Sequence, residues 1–372
     1  MRRGPARTIA LLAGVLCAIA ACTEQAAPSE QPAPATPKAP SAPVTLAPKP
    51  ATTVAPAPPA TFPSLFLGRD DTPQRAALQS GTVKAIEKGK GGRTLAFKIT
   101  LEDGTVGYFK PEQTFSGSHW YAELAAYYLD RELGFGRAPP AVGRVLPWAP
   151  LKAAAGNDER LSEIVIGEDG TVRGAFLWWI PGKLERVPMG QGWEKWVRVN
   201  AHLHISPYQR PQEWIDDRNA GRATHPWPAP AGEPDTAERP AELSDMILFD
   251  YLTTNVDRWG GENTNVRSLE PKGPLLFFDN GAGFTPGDPR LPLTDARLDA
   301  LERFRPSTRA RIAGLDSARL RARMATDPLA PVLTDKQLEH LEIRRQHLLE
   351  YTADLENRFG ERAHFAEAPS AR

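Results

Sequence analysis

Asp257, Asp279, Asn263 and Asn265 lie in the stretch 246–284, and their setting suggests what they could do. An apolar, helix-like run that begins at Met246 ends in a polar loop carrying Asp257, Arg258, Asn263 and Asn265. An apolar strand, Leu275 to Phe278, then delivers Asp279 into a Gly-containing turn. Phosphoryl transfer from a nucleotide needs such a set: one carboxylate to orient the acceptor hydroxyl, and an Asp with an Asn to hold a divalent cation. Hard oxygen ligands of this kind suit Mg²⁺ or Mn²⁺ and not zinc. The set implies an atypical kinase as the expected reading, with a nucleotide as phosphoryl donor.

Elements upstream have to position the nucleotide. Gly81 to Glu87 alternates apolar and polar residues, Lys88-Gly89-Lys90-Gly91-Gly92 breaks the pattern, and Arg93 to Leu101 resumes it. Glu102-Asp103-Gly104 is a hairpin signal, and Thr105 to Lys110 forms a third strand. A turn containing Gly89, Gly91 and Gly92 would let backbone N–H groups approach nucleotide phosphates, although such a turn also serves simply to reverse the chain. Lys110 closes the third strand, and a helix from about His119 to Leu133 carries Glu123 in its early turns. A strand Lys paired with a helix Glu is how a kinase aims an ammonium at phosphates. The alternative is an ordinary surface ion pair, worth little. The 257–279 set favours the first reading.

Three segments carry a family resemblance: Phe109-Lys110-Pro111, then Ala122-Glu123-Leu124-Ala125-Ala126-Tyr127-Tyr128-Leu129-Asp130-Arg131, then 134–144. Together with Asn255-Val256-Asp257-Arg258 and Phe278-Asp279-Asn280-Gly281, they resemble the secretory-pathway kinases, the family of the Golgi casein kinase and the proteoglycan xylose kinase. The loops resemble type II phosphatidylinositol 4-kinases more distantly. The resemblance implies an α+β, two-lobed protein-kinase-like fold, with an antiparallel sheet plus helix in the small lobe and a mainly helical large lobe. It also implies Lys110 for phosphate contact, Glu123 as its partner, Asp257 as catalytic carboxylate and Asp279 as metal ligand. The loop Trp259-Gly260-Gly261-Glu262-Asn263-Thr264-Asn265 departs from the family, so either asparagine fits the second metal ligand. Asn263 is preferred, six positions after Asp257 and near the protein-kinase spacing.

Gly174 to Gly182 reads as an apolar strand running into a turn, either a hinge beside the adenine or a strand buried on both faces. Residues 183–240 are rich in Trp and Pro; His202 and His204 lie two apart but lack a third well-placed ligand, so they read as ordinary histidines. Short helical pieces are expected at Leu298 to Phe304 and Ser317 to Met324. A long helix from about Asp335 to Arg358 opens with a Thr334–Gln337 capping box. The polar tail after Gly360 is expected to be loose.

The formal net charge is zero, which gives no electrostatic case for nucleic acid. The basic start and the apolar run Ile9 to Ala21 form an export signal, and Ile19-Ala20-Ala21-Cys22 resembles the bacterial lipobox, with Cys22 as the lipidated residue. Thr23 favours the outer membrane, so the expected location is the bacterial cell envelope, lipid-anchored and periplasmic or surface exposed. The only cysteines are Cys17 and Cys22, which leaves no internal disulfide after processing. The expected organisation is a signal peptide over 1–21, a Pro/Ala-rich tether over 22–63, a small lobe over 64–182 and a large lobe over 183–365. The expected activity transfers phosphate from ATP to a protein, glycan or lipid hydroxyl. A silent pseudokinase scaffold and an AMP-transferring enzyme are the alternatives.

Overall fold

A computed structural model describes residues 64–190, 192–199, 232–259 and 265–367. The signal, Cys22, the tether, His202, His204 and Asn263 lie outside the described residues. The chain opens with a short antiparallel pair, β1 (Leu65–Phe66) and β2 (Arg69–Asp70), and a helix, α1 (Thr72–Ser80). The expected strands follow as β3 (Val83–Lys88), β4 (Phe97–Leu101) and β5 (Val106–Pro111). The second begins at Phe97, later than expected, because 89–96 belongs to the Gly-rich loop. α2 (Trp120–Leu133), β6 (Ala141–Pro147), α3 (Trp148–Ala155) and β7 (Thr171–Trp178) complete the lobe. Its five-stranded sheet is antiparallel, in the order β3-β4-β5-β7-β6.

The two-residue period of a strand sorts side chains by face. Phe97, Ile99 and Leu101 of β4 and Phe109 of β5 point into a core with Phe176 and Leu78. Tyr108 and Lys110 therefore share the opposite face of β5. α2 is buried along almost its whole length and ends at Gly134, whose φ of +67° supplies the left-handed cap.

The second lobe is mainly helical. β8 (Glu185–Arg186) leads to α4 (Arg239–Thr253), then β9 (Arg267–Ser268), β10 (Leu275–Leu276), α5 (Pro292–Asp299), α6 (Pro306–Ala313), α7 (Ser317–Met324) and α8 (Asp335–Phe359). The strand expected to reach Phe278 pairs only through Leu276, and the chain then turns into the Asp279 loop. No helix spans Leu298 to Phe304: α5 ends at Asp299, and Leu301 and Phe304 enter the core from irregular backbone. The capping box at Thr334 forms as expected, with Thr334 N–H donating to Gln337 Oε1 at 2.9 Å and Gln337 N–H donating to Thr334 Oγ1 at 3.3 Å. The tail is ordered through 367, contrary to expectation, because Phe365 is buried under Arg303 and Glu367 accepts hydrogen bonds from Ser307. Phe249 and Phe277 meet at 5.0 Å between ring centroids and Phe135 and Phe277 at 5.4 Å, so aromatic packing ties α4 to the strand that leads into Asp279.

Candidate active site

Lys110 sits where three elements converge. Its ammonium donates to Glu123 Oε1 on α2 at 2.5 Å and to Asp279 Oδ1 at 2.7 Å. The Glu123 side chain is fully buried, so this is not the surface ion pair of the alternative reading. Burial alone would push the ammonium toward neutrality, but the charges of Asp279 and Glu123 outweigh it and hold the pKa above the ordinary lysine range. Glu123 uses its other oxygen to accept the Asn280 N–H at 3.0 Å, so helix α2 is tied to the loop that follows Asp279.

Asp279 adopts φ +57°, a left-handed conformation that Asp tolerates better than most residues. Asn255 holds its carbonyl oxygen at 3.2 Å, and the Asn265 amide donates to Oδ2 at 2.9 Å. Lys110 is the main cause holding the Asp279 carboxyl below the ordinary range. Asn263 lies outside the described residues; Asn265 is the asparagine of this loop that the described structure places against Asp279.

Asp257 is open to solvent, and its N–H donates to Asn255 Oδ1 at 3.2 Å. Partial desolvation raises its pKa, and the nearby Asp279 charge raises it further. Two carboxylates that repel in this way, with an amide oxygen near, match a cation with hard ligands. Among the described residues no three His, Cys, Asp or Glu side chains cluster as a metal cage. Mg²⁺ needs none, because it binds through one or two carboxylates and substrate phosphates.

Arg258, whose role the sequence left open, holds the two loops together. It is fully buried: Nε bonds Asp250 of α4, one terminal nitrogen donates to the Phe278 carbonyl at 2.6 Å and the other to Asn280 Oδ1 at 2.7 Å. Trp259 Nε1 also donates to Asp250, at 2.7 Å. Behind the loop, Gln337 of α8 donates to the Phe284 carbonyl at 2.8 Å.

A cleft of about 440 Å³ runs from this cluster to the end of β7. Gly91, Gly92, Lys110 and Asp279 line it, with Trp178, Trp179, Ile180 and Gly182 at its far end. β7 is therefore an interior strand whose end also walls the cleft. Gly91 and Gly92 have φ of +83° and +79°, turning the loop over the cleft. Gly89 packs tightly, since a Cβ there would lie 2.5 Å from the Tyr108 hydroxyl. Arg160 clamps the loop by donating to the carbonyls of Gly92 and Thr94 at 3.0 and 3.1 Å. Sequence spacing gave no signal for that contact.

Known proteins are similar to this chain in sequence or in fold. A human glycosaminoglycan xylosylkinase is 27% identical over 335 residues, covering 78% of this chain and 77% of its own. A mouse pseudokinase, FAM20A, is 24% identical over 281 residues, covering 68% of this chain and 50% of its own. A crystal structure of the Golgi casein kinase with Mn/ADP bound superposes with a TM-score of 0.58 at 20% identity, covering 80% of this chain and 79% of that one. The family profile Fam20C, described as Golgi casein kinase, C-terminal, Fam20, matches residues 160–362. That match takes in more than half of the sequence, and on it the chain belongs to the Fam20 family.

Proposed function

We propose that this chain is a metal-dependent atypical kinase that transfers the γ-phosphate of ATP to a hydroxyl of a protein or glycan acceptor. The observation that carries the reading is Lys110 held between Glu123 and Asp279 at the edge of a cleft roofed by Gly91 and Gly92. In this reading Lys110 meets the nucleotide phosphates as a permanent cation, and Glu123 fixes its position. Asp279, with Asn265 beside it, holds Mg²⁺ or Mn²⁺, which when bound supplies positive charge against the phosphates. Asp257 orients the acceptor hydroxyl and takes its proton, and its raised pKa makes it a stronger base than an ordinary aspartate. The glycan option is supported by the human relative named as a glycosaminoglycan xylosylkinase.

The chain keeps a Lys, a Glu and two Asp in mutual register, which a scaffold does not require. Lipid attachment at Cys22, an envelope location and a lobe boundary near residue 182 belong to the same reading. The purified protein, given labelled ATP, Mn²⁺ or Mg²⁺, and protein and glycan acceptors, should add phosphate to a hydroxyl. A mass gain of AMP would replace phosphoryl transfer with nucleotidyl transfer, and metal-dependent nucleotide binding without turnover on any acceptor would favour the pseudokinase.

A further inference from the structure

We propose that Gln337 of α8 is a positioning residue for the loop that carries Asp279; the inference rests on the kinase reading of the same site. Gln337 is buried, and its amide faces two ways. Oε1 accepts the Thr334 N–H at 2.9 Å, which completes the capping box, and Nε2 donates to the Phe284 carbonyl at 2.8 Å. The two contacts need opposite ends of the amide, so together they fix its orientation. The cap itself needs the oxygen alone, and Glu serves there as well as Gln. What Gln adds at this position is the donor to Phe284.

Phe284 is a buried non-glycine residue with φ +48°, a left-handed conformation that a bulky residue keeps where its surroundings impose it. Three helices impose it. The Phe284 N–H donates to the carbonyl of Thr253, the last residue of α4, at 2.6 Å. Its carbonyl accepts both the Gln337 amide of α8 and, at 3.3 Å, the Tyr121 hydroxyl of α2. Phe284 lies five positions after Asp279, and the backbone between them is pinned as well. The Asn280 N–H donates to Glu123 at 3.0 Å, the His119 N–H to the Gly281 carbonyl at 2.7 Å and the Gly283 N–H to the Asn280 carbonyl at 2.9 Å. A loop so short and so held passes a shift of Phe284 on to Asp279. Gln337 thus acts on the metal ligand through the backbone.

Titration calorimetry of the whole protein with ATP, in Mn²⁺ and in EDTA, tests this. Gln337→Glu keeps an oxygen for the cap and removes the donor from Phe284. It should weaken Mn²⁺-dependent ATP binding by about 10- to 100-fold, the range for residues that orient metal ligands, and leave ATP binding in EDTA within about twofold. Thr334→Ala breaks the same capping box but keeps the donor, so it should lower the melting temperature and hold the Mn²⁺-dependent affinity within about twofold. If Gln337→Glu does not fold, Gln337→Met, which loses cap and donor together, is compared with Thr334→Ala, which loses the cap alone, and the same excess loss is expected. Unchanged metal-dependent affinity in the Gln337 variants, or a fall shared by Thr334→Ala or by ATP in EDTA, would overturn the positioning role and leave the kinase reading standing. Wild type without Mn²⁺-dependent ATP binding would remove both.

Discussion

The Arg258 guanidinium and the Asp250 carboxylate lie buried against each other, with Nε 2.9 and 2.8 Å from the two carboxylate oxygens. The pair joins the end of α4 to the loop that carries Asp257, and the remaining Arg258 nitrogens reach across to the Asp279 loop. Both acidic groups of the site therefore depend on one guanidinium.

Arg258→Met should destabilise the fold by about 3–5 kcal/mol, because it leaves Asp250 charged and unpaired in the interior. Thermal unfolding measures this. A loss no larger than that of a typical surface substitution would mean that the loops are held by other contacts.

Asp250 also sets a pH dependence. Burial raises its pKa to about 6, even with Arg258 beside it. A carboxyl that holds its proton more tightly when folded contributes stability that is complete below its unfolded pKa and is lost as the pH rises through its folded pKa. Wild type should therefore lose stability relative to Asp250→Asn between about pH 4 and pH 7, by on the order of 2–3 kcal/mol. Urea midpoints of the two proteins across that range give the difference directly, and a constant offset would contradict it.

Lys110→Met removes the cation between two acidic groups. Nucleotide affinity and turnover should both fall, and the ligand-free protein should also lose stability, because Glu123 is then buried without its partner. Adding Glu123→Gln should restore most of the melting temperature but not the nucleotide affinity. If the double variant recovers both, Lys110 serves structure alone.

Asp279 and Asp257 should separate by the stage at which they act. Asp279→Asn should abolish turnover together with the metal-dependent thermal shift given by ATP. Asp257→Asn should lower turnover by about 10²–10⁴-fold while keeping most of that shift. Full transfer to an identified acceptor by the Asp257→Asn protein would exclude its role.

The proposed lipid anchor would be carried by Cys22, so Cys22→Ser should abolish lipid labelling and membrane association. Cys22→Ser protein that stays with membranes after a high-salt wash would place the anchor elsewhere.

Lys110, Glu123, Asp257 and Asp279 were legible as candidates because each lies in or shortly after an element with its own periodic or turn signal. The α8 helix was legible for the same local reason, its capping box. The role of Arg258 was not, because its partners lie eight residues before it and about twenty after it, and they meet only when α4 and the Asp279 loop pack. The packing of Gly89 against Tyr108 was not legible, because a glycine in sequence does not reveal which neighbour needs the room. Spacing favoured Asn263, while the contact to Asp279 that brings Asn265 forward depends on a left-handed turn fourteen residues later.

Glu123 gives one oxygen to a strand of the sheet and the other to the backbone of the opposite lobe. Rocking of one lobe against the other must break one of those bonds or be absorbed where the chain crosses, near Gly182 with φ +99°. Contacts of Glu123 thus tie the two lobes at the Lys110 end of the cleft, while Gly182 stands at the other end.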